Sequence, residues 1–128
     1  MTVSPAEWQT QSAPVTTQAE SVAPLWRVGR RGLIQNSAAN GSWKKRRSGV
    51  KTDLNEISFA NPAVGWVVGQ AGTVLRTTDR GATWTKVLSP TNEDLVHVTA
   101  ISDLAASVVT RGGLTFTTTD GGKTWNGK

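Results

Sequence analysis

Short runs of β-branched and apolar residues alternate with Gly, Asn, Pro and Asp along most of this 128-residue chain. Near the middle of the chain, such runs occupy 54–59, 64–68, 73–78 and 83–88. Short runs of this composition between turn-forming residues indicate β-strands joined by tight connections. No stretch of about ten residues carries apolar residues at helical spacing. The pattern therefore predicts an all-β chain.

The four-strand pattern belongs to a repeat with a period of 41 residues. The phrase "TTDRGATW" at 77–84 returns as "TTDGGKTW" at 118–125, and the segment 25–37 is a more distant copy of the one that begins at residue 65. A period of about 40 residues with many β-branched side chains is typical of repeated small sheets. The repeat predicts three units, at about 25–50, 53–90 and 94–128.

The repeated phrase lies between the third and fourth strands of a unit, where the chain must reverse direction. There an Asp can accept backbone hydrogen bonds, a Gly suits a positive φ, a Thr hydroxyl can close a further bond, and a Trp can pack against the next sheet. We therefore predict a structural role for eight residues of the two phrases: Asp79, Gly81, Thr83, Trp84, Asp120, Gly122, Thr124 and Trp125.

The phrase fits the pattern Ser/Thr-x-Asp-x-Gly-x-Thr-Trp, and it resembles the Asp-box, or bacterial neuraminidase repeat, of β-propeller blades. The longer stretch "GWVVGQAGTVLRTTDRGATW" at 65–84 is similar to the blades of the photosystem II assembly and stability factor family. The resemblance covers about residues 25–128, although in the first unit "SAANGSW" (37–43) has Ala and Asn where Asp and Gly would stand. It implies a partial β-propeller of about two and two-thirds four-stranded antiparallel blades.

The resemblance also implies a function, namely a non-enzymatic protein-binding scaffold or assembly factor with a protein partner. Closed propellers have about four to eight blades, which is more than this chain supplies. The chain could be the C-terminal piece of a longer propeller, several copies could complete a ring, or a different protein could cover the open ends. These three solutions remain open at the level of the sequence.

The net charge of +5 is concentrated in one part of the chain. Residues 24–51 hold eight basic residues and no acid, whereas residues 52–128 hold six bases and seven acids. The run "KKRRSGVK" at 44–51 is either a solvated edge strand that its charges keep single, or a docking patch for an acidic partner. The candidate patch consists of Arg30, Arg31, Lys44, Lys45, Arg46 and Arg47.

The same basic strand supports an alternative function, the binding of a glycan or another polyanion. Nucleic acid is a poor candidate, because stacking on bases requires aromatic residues among the charges. Only Trp26 and Trp43 are near the basic residues, and both are predicted to lie in the blade core.

Catalysis is not expected from these residues. Sialidases that resemble this repeat use a Tyr nucleophile, and the chain has no tyrosine. The chain also has no cysteine and a single histidine, His97. We expect His97 to face solvent, because it lies at the strand position that matches Glu56. No metal site and no cofactor are predicted.

The first 23 residues are rich in Thr, Ser, Gln, Ala and Pro, and they predict a disordered polar tail or linker before the repeats of 24–128. They lack the basic start and apolar stretch of a signal peptide, and no apolar run reaches the roughly 18 residues of a membrane span. The compartment stays unknown, although the resembled family is often found in the periplasm or thylakoid lumen.

Overall fold

The computed structural model describes residues 25–37 and 41–127, which form three successive antiparallel sheets. We name them blade 1, blade 2 and blade 3. Blade 1 contains β1 (Trp26–Gly29), β2 (Leu33–Ser37) and β3 (Trp43–Arg46). Blade 2 contains β4 (Leu54–Phe59), β5 (Gly65–Gly69), β6 (Val74–Thr77) and β7 (Thr85–Lys86). Blade 3 contains β8 (Leu95–Ala100), β9 (Ala106–Thr110), β10 (Thr115–Thr118) and β11 (Asn126–Gly127).

Each blade is a meander in which consecutive strands are hydrogen-bonded neighbours. Single 3-10 turns, Arg30–Gly32 and Gln70–Gly72, join the first two strands of blade 1 and the second and third strands of blade 2. The all-β fold class is confirmed. The fourth strand of the middle unit is shorter than predicted, at Thr85–Lys86 instead of 83–88, because the reversal before it extends through Trp84.

Two apolar layers hold the blades together. The first seam, between blades 1 and 2, buries Ile34, Leu54, Val67, Leu75 and Trp84. The second seam, between blades 2 and 3, buries Trp66, Val68, Val74, Leu95, Val98, Ala106 and Val108. Since side chains alternate along a strand, β5 directs Val67 into the first seam and Trp66 and Val68 into the second. The middle blade is therefore covered on both faces.

Two aspartates at the starts of inner strands link successive blades. Asp53 Oδ1 accepts a hydrogen bond of 3.0 Å from the backbone N–H of Arg31, in the 3-10 turn of blade 1. Asp94 Oδ1 accepts the equivalent bond of 2.9 Å from the N–H of Ala71, in the turn of blade 2. Both donors lie in left-handed backbone, with φ of 57°. The repeat of Asp53 and Asp94 in the sequence therefore marks the attachment of each blade to the one before it.

The prediction that Trp43 lies in the blade core is wrong. Its side chain is 37% exposed, whereas the equivalent Trp84 is 8% exposed. Trp84 is covered by blade 1, but no blade among the described residues covers the corresponding face of blade 1. Trp43 is instead covered by the Arg27 guanidinium, whose Cζ lies 3.9 Å from the centroid of the indole ring. Trp26, the other predicted core residue of this unit, is half-buried and packs against the first seam.

Blade 1 has three strands among the described residues. β1 pairs with β2 alone, whereas the equivalent strands β5 and β9 each also pair with an inner strand. Residues 1–24, which include the predicted tail of 1–23, lie outside the described residues. The described part of the chain contains no helix that is long and apolar enough to cross a membrane.

Candidate functional site: Asp-box turns and a basic groove

The carboxylate of Asp79 closes the reversal between β6 and β7. Its Oδ1 accepts hydrogen bonds from the Thr83 backbone N–H at 2.9 Å and from the Thr77 hydroxyl at 2.7 Å, and its Oδ2 accepts one from the Thr83 hydroxyl at 2.5 Å. In blade 3, Asp120 is bonded in the same way to Thr118 and Thr124, at 2.6–2.9 Å. The two phrases therefore form nearly identical turns.

Thr77 and Thr118 belong to these turns, but the residue set predicted from the sequence does not include them. Both side chains are buried, with 1% and 0% exposure. Each hydroxyl donates to the Asp of its turn and accepts a hydrogen bond of 2.9 Å from the backbone N–H of Gly81 or Gly122. The Thr at the first position of the phrase was the available signal, since a buried hydroxyl requires hydrogen-bond partners.

The glycines of the phrase lie against the preceding blade. Gly81 has a φ of +85°, and a Cβ built on it would overlap the ring of Trp26 from blade 1. Gly122 has a φ of +91°, and its Cβ would overlap Val87 and lie 3.5 Å from the ring of Trp66. The glycines are therefore needed for backbone conformation and for blade-to-blade contact, and only the first of these requirements could be predicted.

The tryptophans that end the phrases complete the same contacts. Trp84 meets Trp26 edge to face, with ring centroids 5.8 Å apart, and Trp125 meets Trp66 at 6.2 Å with the same geometry. The Trp125 indole N–H also donates to the Leu88 carbonyl of the preceding blade at 2.8 Å. Aromatic pairs in this arrangement are favourable beyond their buried area, by about 0.5–1.5 kcal/mol.

Hydrogen bonding lowers the pKa of both turn carboxyls. Three donors, the Thr83 hydroxyl first, then the Thr83 N–H and the Thr77 hydroxyl, lower the pKa of Asp79 from 3.8 to about 2. The Thr124 hydroxyl, the Thr124 N–H and the Thr118 hydroxyl lower the pKa of Asp120 to about 2 as well. Both carboxyls are ionised acceptors with several of their lone pairs already in use, which suits a structural role better than proton transfer.

We predict a loss of stability in acid that depends on these two carboxyls. A carboxyl with a lowered folded-state pKa stabilises the fold above its unfolded pKa, here 3.8, and this stabilisation is lost as the pH falls through about 2. In urea denaturation, the urea concentration at which half of the wild type is unfolded should decrease as the pH is lowered from 3.8 to about 2. Asp79→Asn/Asp120→Asn should be less stable at neutral pH and should show a flatter profile in this window.

The control for the acid profile is Glu93→Gln, which removes an exposed carboxyl outside both turns. It should keep the wild-type dependence on pH. An unchanged profile in Asp79→Asn/Asp120→Asn would contradict the role assigned to the turns.

The single histidine lies on the surface, as predicted. The His97 side chain is 66% exposed, and its Nδ1 lies 3.5 Å from Glu56 Oε1. The same Glu56 oxygen accepts a hydrogen bond of 2.7 Å from the Val98 backbone N–H, so it connects the inner strands of blades 2 and 3. In the described part of the chain, no group of three or more His, Asp or Glu side chains is placed to hold a metal ion.

The structure brings most of the predicted basic patch together in one open groove of about 600 Å³ at the edge of blade 1. The groove runs between the 3-10 turn after β1 and the loop that follows β3. Lys44 lies outside the lining. The basic residues that line the groove are Arg30, Arg31, Lys45, Arg46, Arg47 and Lys51, the last of which was not among the predicted residues.

Local hydrogen bonds shape the wall of this basic groove. The buried Ser48 hydroxyl contacts the backbone N–H and C=O of Val50 at 3.2–3.3 Å, which fixes the loop after β3. Arg46 Nε donates to Asn36 Oδ1 at 3.0 Å across the β2–β3 pair. The lining contains no acidic and no aromatic residue. Neither of the two ion pairs among residues 25–37 and 41–127 involves a residue of the groove.

Successive antiparallel meanders that are joined by apolar seams, with Asp-box turns in blades 2 and 3, place the chain in the class of β-propeller repeat proteins. The family model of the photosystem II assembly factor YCF48 matches residues 3–128, so the chain belongs to this family. The family resemblance predicted from the repeated phrase is confirmed.

Solved structures lead to the same family. A structure of YCF48 bound to a D1 peptide is similar to this chain, with a TM-score of 0.71 and 27% identity over 80% of this chain and 34% of that one. YCF48 from Cyanidioschyzon merolae has a TM-score of 0.72 and 30% identity over 82% of this chain and 35% of its own. The chain thus spans about a third of the length of these relatives. No curated protein matches it.

Proposed function

We propose that this chain is a non-enzymatic scaffold of the assembly-factor type, and that its basic groove docks an acidic segment of a protein partner. Membership of the YCF48 family supports the assembly-factor role. A related YCF48 structure contains a bound D1 peptide, which supports peptide binding as the mode of action. The proposal concerns the class of partner, since this chain covers about a third of that relative.

The observation that carries the proposal is the composition of the groove. Six cationic residues line one concave surface, and no acidic residue lines it. Their mutual repulsion is relieved when a carboxylate-bearing segment enters, and arginine forks bind carboxylates through paired, charge-assisted hydrogen bonds. If the charges of β3 served only to prevent this edge strand from pairing with another chain, Arg30 and Arg31 of the β1–β2 turn would not need to lie beside it.

We also propose a division of the chain and a structural role for its Asp-box residues. We assign residues 1–23 to a polar tail or linker, and 24–128 to the Asp-box repeats, with units at about 25–50, 53–90 and 94–128. The eight predicted residues of the two Asp-box phrases are proposed to serve folding alone. Their side chains and backbone groups bond and pack within the blades, which supports that assignment.

The test of the groove is a binding titration with matched charge removal. We predict that Arg30→Ala/Arg47→Ala weakens binding of a fluorescein-labelled glutamate-rich peptide by about tenfold or more, equivalent to about 1.4 kcal/mol. Lys86→Ala/Lys123→Ala removes the same charge from exposed positions in blades 2 and 3, and it should weaken binding by less than about threefold. Fluorescence anisotropy at physiological salt measures both.

Lys86 and Lys123 line a separate concavity together with Arg76, so equal losses in the two variants would contradict the groove of blade 1 as the specific binding site. Heparin serves as the second probe. Tight binding of heparin by the groove together with no binding of the peptide would overturn the protein-binding proposal in favour of the glycan- or polyanion-binding alternative.

A further inference from the structure

The outer face of blade 1 carries two polar residues, Arg27 and Gln35, at positions that are apolar in the other blades. Arg27, Gln35 and Lys45 are cross-strand neighbours on this face, and Trp43 lies beside them. We call these four residues the end face. In blade 2, the row that corresponds to Arg27 and Gln35 is Val67 and Leu75, which are fully buried in the first seam.

Because Arg27 and Gln35 stand where blade 2 has Val67 and Leu75, the end face is unsuitable for an ordinary apolar seam between blades. Packing another apolar blade on it would remove water from a guanidinium and an amide without supplying partners, and burial of an unpaired charge costs several kcal/mol (about 3–5 when a partner is missing). The matching positions of blade 2, Val67 and Leu75, belong to the apolar cluster of the first seam. The end face is therefore built for a partner with polar groups.

Two contacts fix the orientation of the Arg27 side chain. Its Nε donates to Gln35 Oε1 at 2.7 Å, and its guanidinium stacks on Trp43 at 3.9 Å. These two contacts fix the plane of the fork, and among the described residues they leave the two Nη groups without a partner. A fixed guanidinium loses less conformational entropy when it binds a carboxylate. The exposed part of Trp43 offers apolar area next to it.

The end face and the basic groove are continuous. Lys45 lines the groove and is also the cross-strand neighbour of Gln35 on the end face. A single extended segment can therefore contact the groove cations and reach Arg27 without leaving the surface of blade 1. The cations of the groove attract any acidic segment. Arg27 and Trp43 together require a segment in which a carboxylate and an apolar side chain are adjacent.

We infer that the end face determines specificity for the acidic segment: Arg27 binds one of its carboxylates, and Trp43 binds an adjacent apolar side chain. The inference rests on the proposed function in taking an acidic protein segment as the partner. It goes further in naming the residues that choose among such segments.

A second copy of the chain is a poor occupant, because the opposite end of the array is not complementary. On the outer face of blade 3, Ser107 stands where blade 2 has Trp66, and Thr115 stands where it has Val74. The Ser107 hydroxyl lies 2.8 Å from that of Thr117, so these groups satisfy each other. The residues named on this face supply hydroxyls to Arg27 and not a carboxylate, so an acidic partner protein suits the end face better than a second copy does.

Two labelled peptides test the inference on the full chain, one alternating Glu with Leu and one alternating Glu with Gly. We predict that the wild type binds the Leu peptide about fivefold or more tightly than the Gly peptide. Trp43→Ala should abolish this preference, because it removes the apolar contact. Arg27→Val should weaken the binding of both peptides, because each of them carries the carboxylate that Arg27 binds. Arg27→Lys keeps the charge without the planar guanidinium, and it should restore only part of the affinity that Arg27→Val loses.

The outcomes separate the two proposals. If the preference persists in Trp43→Ala, or if Arg27→Val binds both peptides as tightly as the wild type does, the end-face inference is overturned, while loss of both peptides in Arg30→Ala/Arg47→Ala still supports the groove. If neither peptide binds the wild type, both proposals fail. Concentration-dependent association of the wild type in sedimentation, abolished by Arg27→Val, would identify a second copy as the occupant and would overturn the inference as well.

Discussion

Gly81→Ala should lower the free energy of unfolding by about 3–5 kcal/mol. Part of this loss, about 1–2 kcal/mol, comes from forcing an L-residue into the left-handed backbone of Gly81, where φ is +85°. The rest comes from the new methyl group, which would overlap the Trp26 ring and push blades 1 and 2 apart. For a domain of this size, the thermal midpoint should fall by roughly 4–8 °C per kcal/mol.

Gly113→Ala is the matched control for this substitution. Gly113 also has a positive φ, +95°, but a Cβ there would meet no atom within 4 Å. It should therefore cost only the backbone term, about 1–2 kcal/mol. Thermal denaturation of both variants separates conformation from blade contact. Equal losses in the two variants would contradict the close approach of Trp26 to the Asp-box turn.

Trp66→Ala should destabilise the array by about 3–5 kcal/mol, the range observed when a buried Trp or Phe is truncated. Trp66 is 0% exposed and lies at the centre of the second seam, against Trp125 and the turn at Gly122. Removing its indole leaves a cavity between blades 2 and 3 that the short, hydrogen-bonded strands cannot collapse to fill.

Trp43→Ala provides the comparison within the same chain. It removes the same atoms from the end face, where the ring is 37% exposed and contacts Arg27, so it should cost less than about 1 kcal/mol. Urea denaturation followed by circular dichroism measures both variants. A Trp43→Ala variant as unstable as Trp66→Ala would mean that the end face is packed against another layer.

The sequence predicted best what a few consecutive residues determine. The Asp-box turn forms through bonds from Asp79 to Thr77 and Thr83, all within one phrase, so the repeat of the phrase predicts the repeat of the turn. The strands of blade 2 were predictable for the same reason, since alternation and turn residues are local signals. The family resemblance rested on these local patterns.

Contacts between distant residues were not predictable in this way. Trp26 and Gly81 are far apart in the chain, and nothing near either residue indicates that one covers the other. Trp43 and Trp84 occupy equivalent positions in the repeat, yet one is exposed and the other buried. Within residues 25–37 and 41–127, a blade packs over Trp84, whereas none packs over Trp43. Burial of a repeated residue depends on the neighbouring repeat, which a single phrase does not describe.

The basic groove could be predicted from the sequence only in part. The sequence showed the excess of positive charge in 24–51, and charge alone was enough to propose an acidic partner. It did not show that the hairpin of Arg30 and Arg31 and the loop that ends at Lys51 line one concavity, since the pairing of β2 with β3 brings them together. Lys44 was included in the patch because it is adjacent in sequence, although the groove does not contain it.

The central claim, that the groove of blade 1 recognises an acidic protein segment, is tested most directly by reversing two of its charges. Arg30→Glu/Arg47→Glu leaves four basic and two acidic residues in the lining, so it should lose most of its affinity for the glutamate-rich peptide, with a thermal midpoint near that of the wild type. Retained binding of the glutamate-rich peptide by this variant would contradict the claim, because the recognition would then reside elsewhere in the chain.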